Sequence, residues 1–228
     1  MIKELLQEDI VNIKRNDSNG RRFDSQNKVI LSGTVCEEFE FEYVQRSTLI
    51  SFYSTKIICQ QASGRIDIIP IMVAYQLKEK FKTIKGKYIE LMGRLRSHRQ
   101  LKENGKTKLN LYVLASRIEA YDTKTLENDT NILYLSGFVC QDVRVWKRTE
   151  KIDFSMLVYR KREYQPMDFF PCIIKGNLAN YYKPFLQKGA RLSFEGTFQY
   201  REYPKVDDDR NIETRKAYEV RVKKMIEI

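Results

Sequence analysis

Flat rings set among cations are the residues of this chain best suited to chemistry of any kind. Trp146, Tyr159, Tyr164, Tyr200 and Tyr203 stand close in sequence to Arg144, Lys147, Arg148, Arg160, Lys161, Arg162 and Arg201. In the first half, Arg94, Arg96, Arg99, Lys102, Lys106 and Lys108 make a basic run, and Tyr53, Tyr75 and Tyr112 are the rings that could accompany it. A groove that neutralises phosphates and offers ring faces to unpaired bases binds single strands with little sequence preference, each stack contributing ~1 to 3 kcal/mol. Any one ring has a plainer account as core, and any one hairpin cation as a solvated guard of a sheet edge. The coincidence of rings and bases in both halves is what points to a polyanion.

Other chemistries lack their residues. His98 is the only histidine, so neither a multi-histidine metal site nor a histidine-based triad repeated in each half can be assembled. Cys36, Cys59, Cys140 and Cys172 contain no C-x-x-C pair and read as reduced, buried thiols. No paired carboxylates recur at equivalent places, and Asp207-Asp208-Asp209 reads as a solvated loop tip. Gly86 and Gly93 are isolated rather than part of a phosphate-binding loop. The sequence therefore predicts no enzyme, no metal and no cofactor.

The chain has 228 residues, 42% hydrophobic and 31% charged, a globular composition that excludes disorder throughout. Its 41 bases against 30 acids leave a formal charge of +11, which favours a polyanionic partner or an acidic surface. The longest apolar run, Ile68 to Tyr75, is too short to cross a bilayer and contains Pro70. Acids near the N-terminus stand where a secretion signal would be apolar. The expectation is a cytoplasmic chain with no membrane partner.

A repeat organises these residues. Leu31-Ser32-Gly33-Thr34-Val35-Cys36 returns as Leu135-Ser136-Gly137-Phe138-Val139-Cys140. Ile68 to Val73 aligns with Phe169 to Ile174, and Lys85-Gly86 and Gly93 return as Lys188-Gly189 and Gly196. The chain divides into an N-terminal arm (1–26) with a short apolar helix and a polar tether, a first unit (27–121), a solvated linker (122–130) and a second unit (131–228). The first unit carries 16 bases against nine acids and the second 19 against 13, so both share the basic excess.

Within each unit the apolar pattern has the two-residue period of strands, broken once by a short helical stretch. Strands are predicted over 29–43, 50–60, 66–73, 88–96 and 108–121, with a helix over 76–81. In the second unit they fall over 132–146, 152–162, 167–175, 191–203 and 218–228, with a helix over 178–185. Gly33 and Gly137 let the first strand bend sharply enough to serve both sides of a closed barrel. Pro70 and Pro171 belong at an edge or bulge of the third strand. The predicted fold class is all-β with short helices: two tandem OB-fold barrels of five strands each.

The second unit resembles the bacterial single-stranded DNA-binding protein family. The likeness runs from Leu135-Ser136-Gly137-Phe138-Val139 through Asp168 to Ala179, Leu186 to Phe198, and Glu213 to Val222. By that resemblance bases stack on Phe169 at the start of strand three, on Tyr164 near the second hairpin and on Tyr203 at the end of strand four. The first unit has Ile68 and Gln100 at the matching positions, so its contacts would fall to Tyr53, Tyr75 or Tyr112 with Arg94 and Arg96. Tandem members of the family imply a homodimer with four barrels, and replication or recombination proteins as partners. Recruitment through an acidic tail is not expected. A primosomal replication protein of the same fold is a relative in shape.

Single-stranded DNA binding, in replication, recombination or mobile-element transfer, is the leading expectation. RNA is the nearest alternative ligand, because an OB barrel stacks either backbone and only contacts to the 2′-OH distinguish them. A protein-interaction or replication-restart scaffold is the alternative of a different class, and fold alone does not choose between them.

Overall fold

The structure, a computed structural model, describes residues 26–101, 105, 107–146, 151–159, 167–206 and 212–227. Twelve strands and two short helices follow one another as β1 (Asn27–Val35), β2 (Glu40–Gln45), β3 (Ile50–Gln60), β4 (Ile66–Ala74), α1 (Tyr75–Lys78), β5 (Tyr88–Leu101) and β6 (Thr107–Tyr121). The second half repeats the order as β7 (Asn131–Val139), β8 (Arg144–Trp146), β9 (Lys151–Tyr159), β10 (Met167–Lys175), α2 (Asn177–Tyr182), β11 (Arg191–Val206) and β12 (Ile212–Glu227).

Strand pairing closes each half on itself. β1 pairs with β3 and β5, β5 with β6, β6 with β4, and β4 with β3. β7, β9, β10, β11 and β12 repeat that cycle. The third and last barrel strands run parallel for two residues in each half, Ile71 with Val113 and Met72 with Leu114, then Cys172 with Val220 and Ile173 with Arg221. A five-stranded barrel with a helix after the third barrel strand is the OB-fold, and the protein contains two in tandem.

Glycine permits the closure. Gly33 sits where β1 passes from β5 onto β3, and a Cβ there would stand 2.4 Å from the carbonyl oxygen of Ile58. At Gly137 the same atom would stand 2.3 Å from the carbonyl oxygen of Leu157. No side chain fits such an approach, which explains why this stretch of the repeat is so well preserved within the chain. Pro70 and Pro171 are each followed by the residue that opens the parallel pairing, so the ladder on that side loses no donor it uses.

Several elements differ from the sequence expectation, among them β5, which runs on to Leu101, and β12, which starts at Ile212. The long first strand is two strands, because the chain leaves the barrel after Val35 and Val139 and returns as an outer hairpin strand. In the first half the departure is anchored by Glu38, whose carboxylate accepts from the N–H groups of Ile84 and Lys85 at 3.1 and 3.3 Å. The helices are shorter than their apolar pattern, α1 ending at Lys78 and α2 giving way at Lys183 to a single 3-10 turn that holds Pro184. The linker is tied down where it meets β7: Asp129 accepts from the N–H of Gln60 at 2.6 Å and from the Tyr88 hydroxyl at 3.1 Å. The arm, 1–25, lies outside the described residues.

The barrels join through β1 and β7, which pair antiparallel from Asn27–Leu135 to Leu31–Asn131. Val29 opposes Leu133, its own counterpart in the repeat, so a pseudo-twofold axis passes through that pair. Asn27 brackets the backbone of Leu95 with its amide, donating to the carbonyl at 2.7 Å and accepting from the N–H at 2.8 Å. Asn131 does the same to Phe198 at 2.7 and 3.0 Å.

Two fully buried carboxylates complete the seam. Asp67 on β4 accepts from the N–H of Tyr200 on β11 at 2.9 Å. Its counterpart Asp168 on β10 accepts from the N–H of Ser97 on β5 at 2.8 Å. Each barrel thus plugs a carboxylate into the fourth strand of the other. The cations that compensate them differ. Asp67 is matched by Arg65 of its own barrel at 2.9 Å, Asp168 by Arg96 of the opposite barrel at 3.0 Å. Removing one partner of a buried ion pair costs about 3 to 5 kcal/mol because the other is left uncompensated. Arg96 is only 8% exposed, whereas 35% of the Arg65 side chain reaches water. Denaturant unfolding is therefore expected to show Asp168→Asn losing about 3 kcal/mol and Asp67→Asn less, about 1 to 2 kcal/mol. Equal and negligible losses would remove the carboxylates from the seam's stability.

Candidate nucleic-acid interface

β10 meets β5 at one seam and β11 meets β4 at the other, and Phe169, Tyr200 and Tyr203 lie on these strands. Phe169 follows the buried Asp168 on β10, so alternation turns its ring outward while its backbone N–H donates to Ser97 Oγ at 2.9 Å. The Arg99 guanidinium of the other barrel lies over that ring, 4.5 Å from its centroid. Tyr203 on β11 carries Arg201 over its face at 4.8 Å, and Arg201 is steadied by the buried Glu219 at 3.0 Å. Tyr200 packs against Tyr218 with centroids 5.6 Å apart, with Lys216 Nζ 5.8 Å from its own.

Trp146 on β8 is 50% exposed, with Lys151 5.6 Å from its ring and its indole N–H donating to Asp153 at 2.7 Å. Tyr53 on β3 is partly buried, with Lys78 at 5.7 Å and Tyr75 at 6.4 Å from its centroid. Phe169, Tyr203, Trp146 and Tyr53 thus each hold a cation against a ring face. A strand laid over such a pair meets a phosphate partner and a stacking surface together.

The remaining sequence candidates divide. Arg94 is exposed on β5, in register with Leu114. Tyr112 is partly buried on β6, in register with Arg96. Arg96 itself is buried and faces Asp168. Tyr159 ends β9 in register with Met167. Tyr164, Arg148, Arg160 and Arg162 lie outside the described residues.

Two features escape the sequence reading. Arg99 is visible there as one base in a run, and only the seam brings it onto Phe169. The outer hairpin strand β2 exposes Phe41 and Tyr43, Phe41 edge-on to Tyr53 at 5.8 Å and Tyr43 stacked on Phe52 at 5.2 Å. The alternation Glu40-Phe41-Glu42-Tyr43 is the signal that could have found it. Those acids, with Glu37 and Glu38, give this end of the sheet the wrong charge for a phosphate backbone.

Loss of water around its hydroxyl, then the Glu202 carboxylate, pushes Tyr200 up to about 12. The Thr83 hydroxyl, then the N–H of Ile84, holds the Glu38 carboxyl below its ordinary value. Partial burial, then Arg221 and Arg65, pulls the Lys223 ammonium down. Burial drives the Cys59 thiol to about 12 and Cys172 well above its usual value, and all four cysteines are free. Among the described residues no three His, Cys, Asp or Glu side chains gather as a metal would need. No helix among them is long and apolar enough to cross a membrane.

Solved structures of similar fold exist. Wild-type single-stranded DNA binding protein from Thermus aquaticus is similar over 90% of this chain and 94% of its own, with a TM-score of 0.67 at 18% identity. A deletion mutant of the same protein is similar over 90% and 95%, with a TM-score of 0.62 at 18% identity. The N-terminal domain of a PriB protein from Thermoanaerobacter tencongensis is 27% identical over 42% of this chain and 96% of its own, with a TM-score of 0.35. No protein-family model and no curated protein matches the sequence. At these identities the likeness is one of fold, and it extends to two barrels in one chain.

Trp146 is the only tryptophan, so its surroundings can be read directly. Acrylamide is expected to quench it readily in the free protein, as a half-exposed indole requires. A shielded, inaccessible indole would contradict its place on β8.

Proposed function

We propose that this protein binds single-stranded DNA with little sequence preference, without catalysis, and protects it during replication, recombination or mobile-element transfer. The observation that carries the reading is the set of partly exposed rings, each with a cation against its face, on a tandem OB scaffold: Phe169 under Arg99, Tyr203 under Arg201 and Trp146 under Lys151. The likeness of fold, over 90% of the chain, to a single-stranded DNA binding protein from Thermus aquaticus supports it. Two chains would then associate to supply four barrels, in the cytoplasm, with replication or recombination proteins as further partners.

Physical chemistry favours this polymer over a duplex. Ring faces are useful only to bases that are not already stacked between neighbours, while the cations answer the phosphates of any strand. No described group makes a pattern that would select one base edge over another.

The test is a titration of oligo-dT, a duplex of equal length and oligo-rU at two salt concentrations. Oligo-dT is expected to bind well ahead of the duplex, its log affinity falling with log salt at about 0.7 per neutralised phosphate. Phe169→Ala should weaken it by ~1 to 3 kcal/mol without changing the thermal midpoint by more than a few degrees. Tighter binding of the duplex would refute the reading, and tighter binding of oligo-rU would move it to RNA.

A further inference from the structure

The pseudo-twofold axis through Val29 and Leu133 makes two seams between the barrels, and they are built alike but not furnished alike. At one, Asp168 reaches Ser97, and the next residue, Phe169, meets Arg99. At the other, Asp67 reaches Tyr200, which occupies the place of Ser97. Counting on by the same register, Ile68 stands where Phe169 does and Glu202 where Arg99 does. Ile68 has no ring face. Glu202 is exposed, accepts a hydrogen bond from the Tyr200 hydroxyl, and brings a negative charge within 3.9 Å of Lys216. The ring at this seam, Tyr200, already packs against Tyr218.

We propose that Arg99 of the first barrel and Phe169 of the second form a composite clamp for an unpaired base. A single strand would cross between the barrels at this seam and not at Ile68 and Glu202. The inference rests on the single-strand reading and adds where the strand runs. A guanidinium is planar, always charged and stacks on aromatic faces, so it can lie on a base as it now lies on the ring. Arg99 is exposed near the end of β5, and an outward rotation of its side chain would leave a base between ring and guanidinium. The main chain beneath Phe169 is fixed: its backbone N–H is held by Ser97 Oγ, and Ser97 Oγ donates to Asp168 at 3.1 Å. The first barrel therefore supplies one half of the clamp and the bond that fixes the main chain under the other.

This placement also gives the first barrel a use. It lacks the stacking residue at its own strand three, yet contributes Arg99 to the platform of its neighbour. The missing ring at Ile68 and the acid at Glu202 then belong together: both discourage a strand from crossing between the barrels there.

A double-mutant cycle in oligo-dT binding tests the clamp, with Ile68→Ala as the control at the other seam. Phe169→Ala is expected to weaken binding roughly five- to hundredfold, and Arg99→Ala roughly three- to thirtyfold. The double variant should bind little worse than Phe169→Ala alone, because each residue acts through the other. Arg99→Lys, which keeps charge but not the plane, should fall between Arg99→Ala and the wild type, and Ile68→Ala should bind as the wild type does. If Phe169→Ala compromises folding, Arg99→Ala and Arg99→Lys decide the matter, since Arg99 is exposed. Arg99→Ala at wild-type affinity, independent multiplication of the two effects, or an equal loss from Ile68→Ala would overturn the clamp while leaving single-strand binding intact. A wild-type chain that binds no oligo-dT would overturn the functional reading itself, and the clamp with it.

Discussion

The reciprocal insertion of Asp67 and Asp168 is the constraint on which the rest of the molecule depends. A carboxylate with no access to water is costly unless hydrogen bonds and a cation surround it. Here each carboxylate takes one bond from the opposite barrel, from the N–H of Tyr200 in one case and of Ser97 in the other. Asp67 keeps Arg65 and Gln61 of its own barrel, but Asp168 would lose Ser97 and Arg96 together if the barrels parted. The β1–β7 ladder gives the seam its antiparallel register, and Asn27 and Asn131 stand in for backbone where β1 leaves β5 and β7 leaves β11 within each barrel. A tandem pair of small barrels thereby behaves as one sheet of twelve strands.

From that rigidity follows the arrangement of rings. Alternation along β10 places Phe169 outward because Asp168 is inward, and the first barrel's β5 arrives at that spot because Ser97 must meet Asp168. The cation over the ring is thus a consequence of the carboxylate beneath it. Symmetry of construction does not extend to the surface. The two halves share their glycines, asparagines and buried aspartates, and differ at the neighbouring residues that a ligand would touch. Charge differs as well, since β2 at one end of the sheet carries Glu40 and Glu42 while β8 at the other carries Arg144 and Trp146.

Much of the fold was legible because the barrel imposes steric demands that few residues meet. Gly33 and Gly137 approach a backbone carbonyl more closely than any Cβ can, and such positions surface as a repeat even in one sequence. The apolar period of two located the barrel strands for the same reason. What the pattern hid was where the chain leaves the barrel: 29–43 and 132–146 read as unbroken runs, and the outward turn is held by Glu38 through contacts distant in sequence. Of the proposed interface, Phe169 and Tyr203 come from the family resemblance, whereas Arg99 required the seam. Arg96, grouped with Arg94 in the basic run, proves to face a buried carboxylate. The trace of the seam was present in Ile66-Asp67-Ile68-Ile69-Pro70 and Met167-Asp168-Phe169-Phe170-Pro171, where an acid recurs at one place in two otherwise apolar strands.

Amide hydrogen exchange with and without saturating oligo-dT tests most directly the claim that the seam of Arg99 and Phe169 carries the strand. Slower exchange is expected in β10 around Phe169 together with β5 from Arg94 to Leu101, with Ile66 to Ile68 at the start of β4 unchanged. Protection confined to one barrel, or centred on the acidic β2 hairpin, would contradict it.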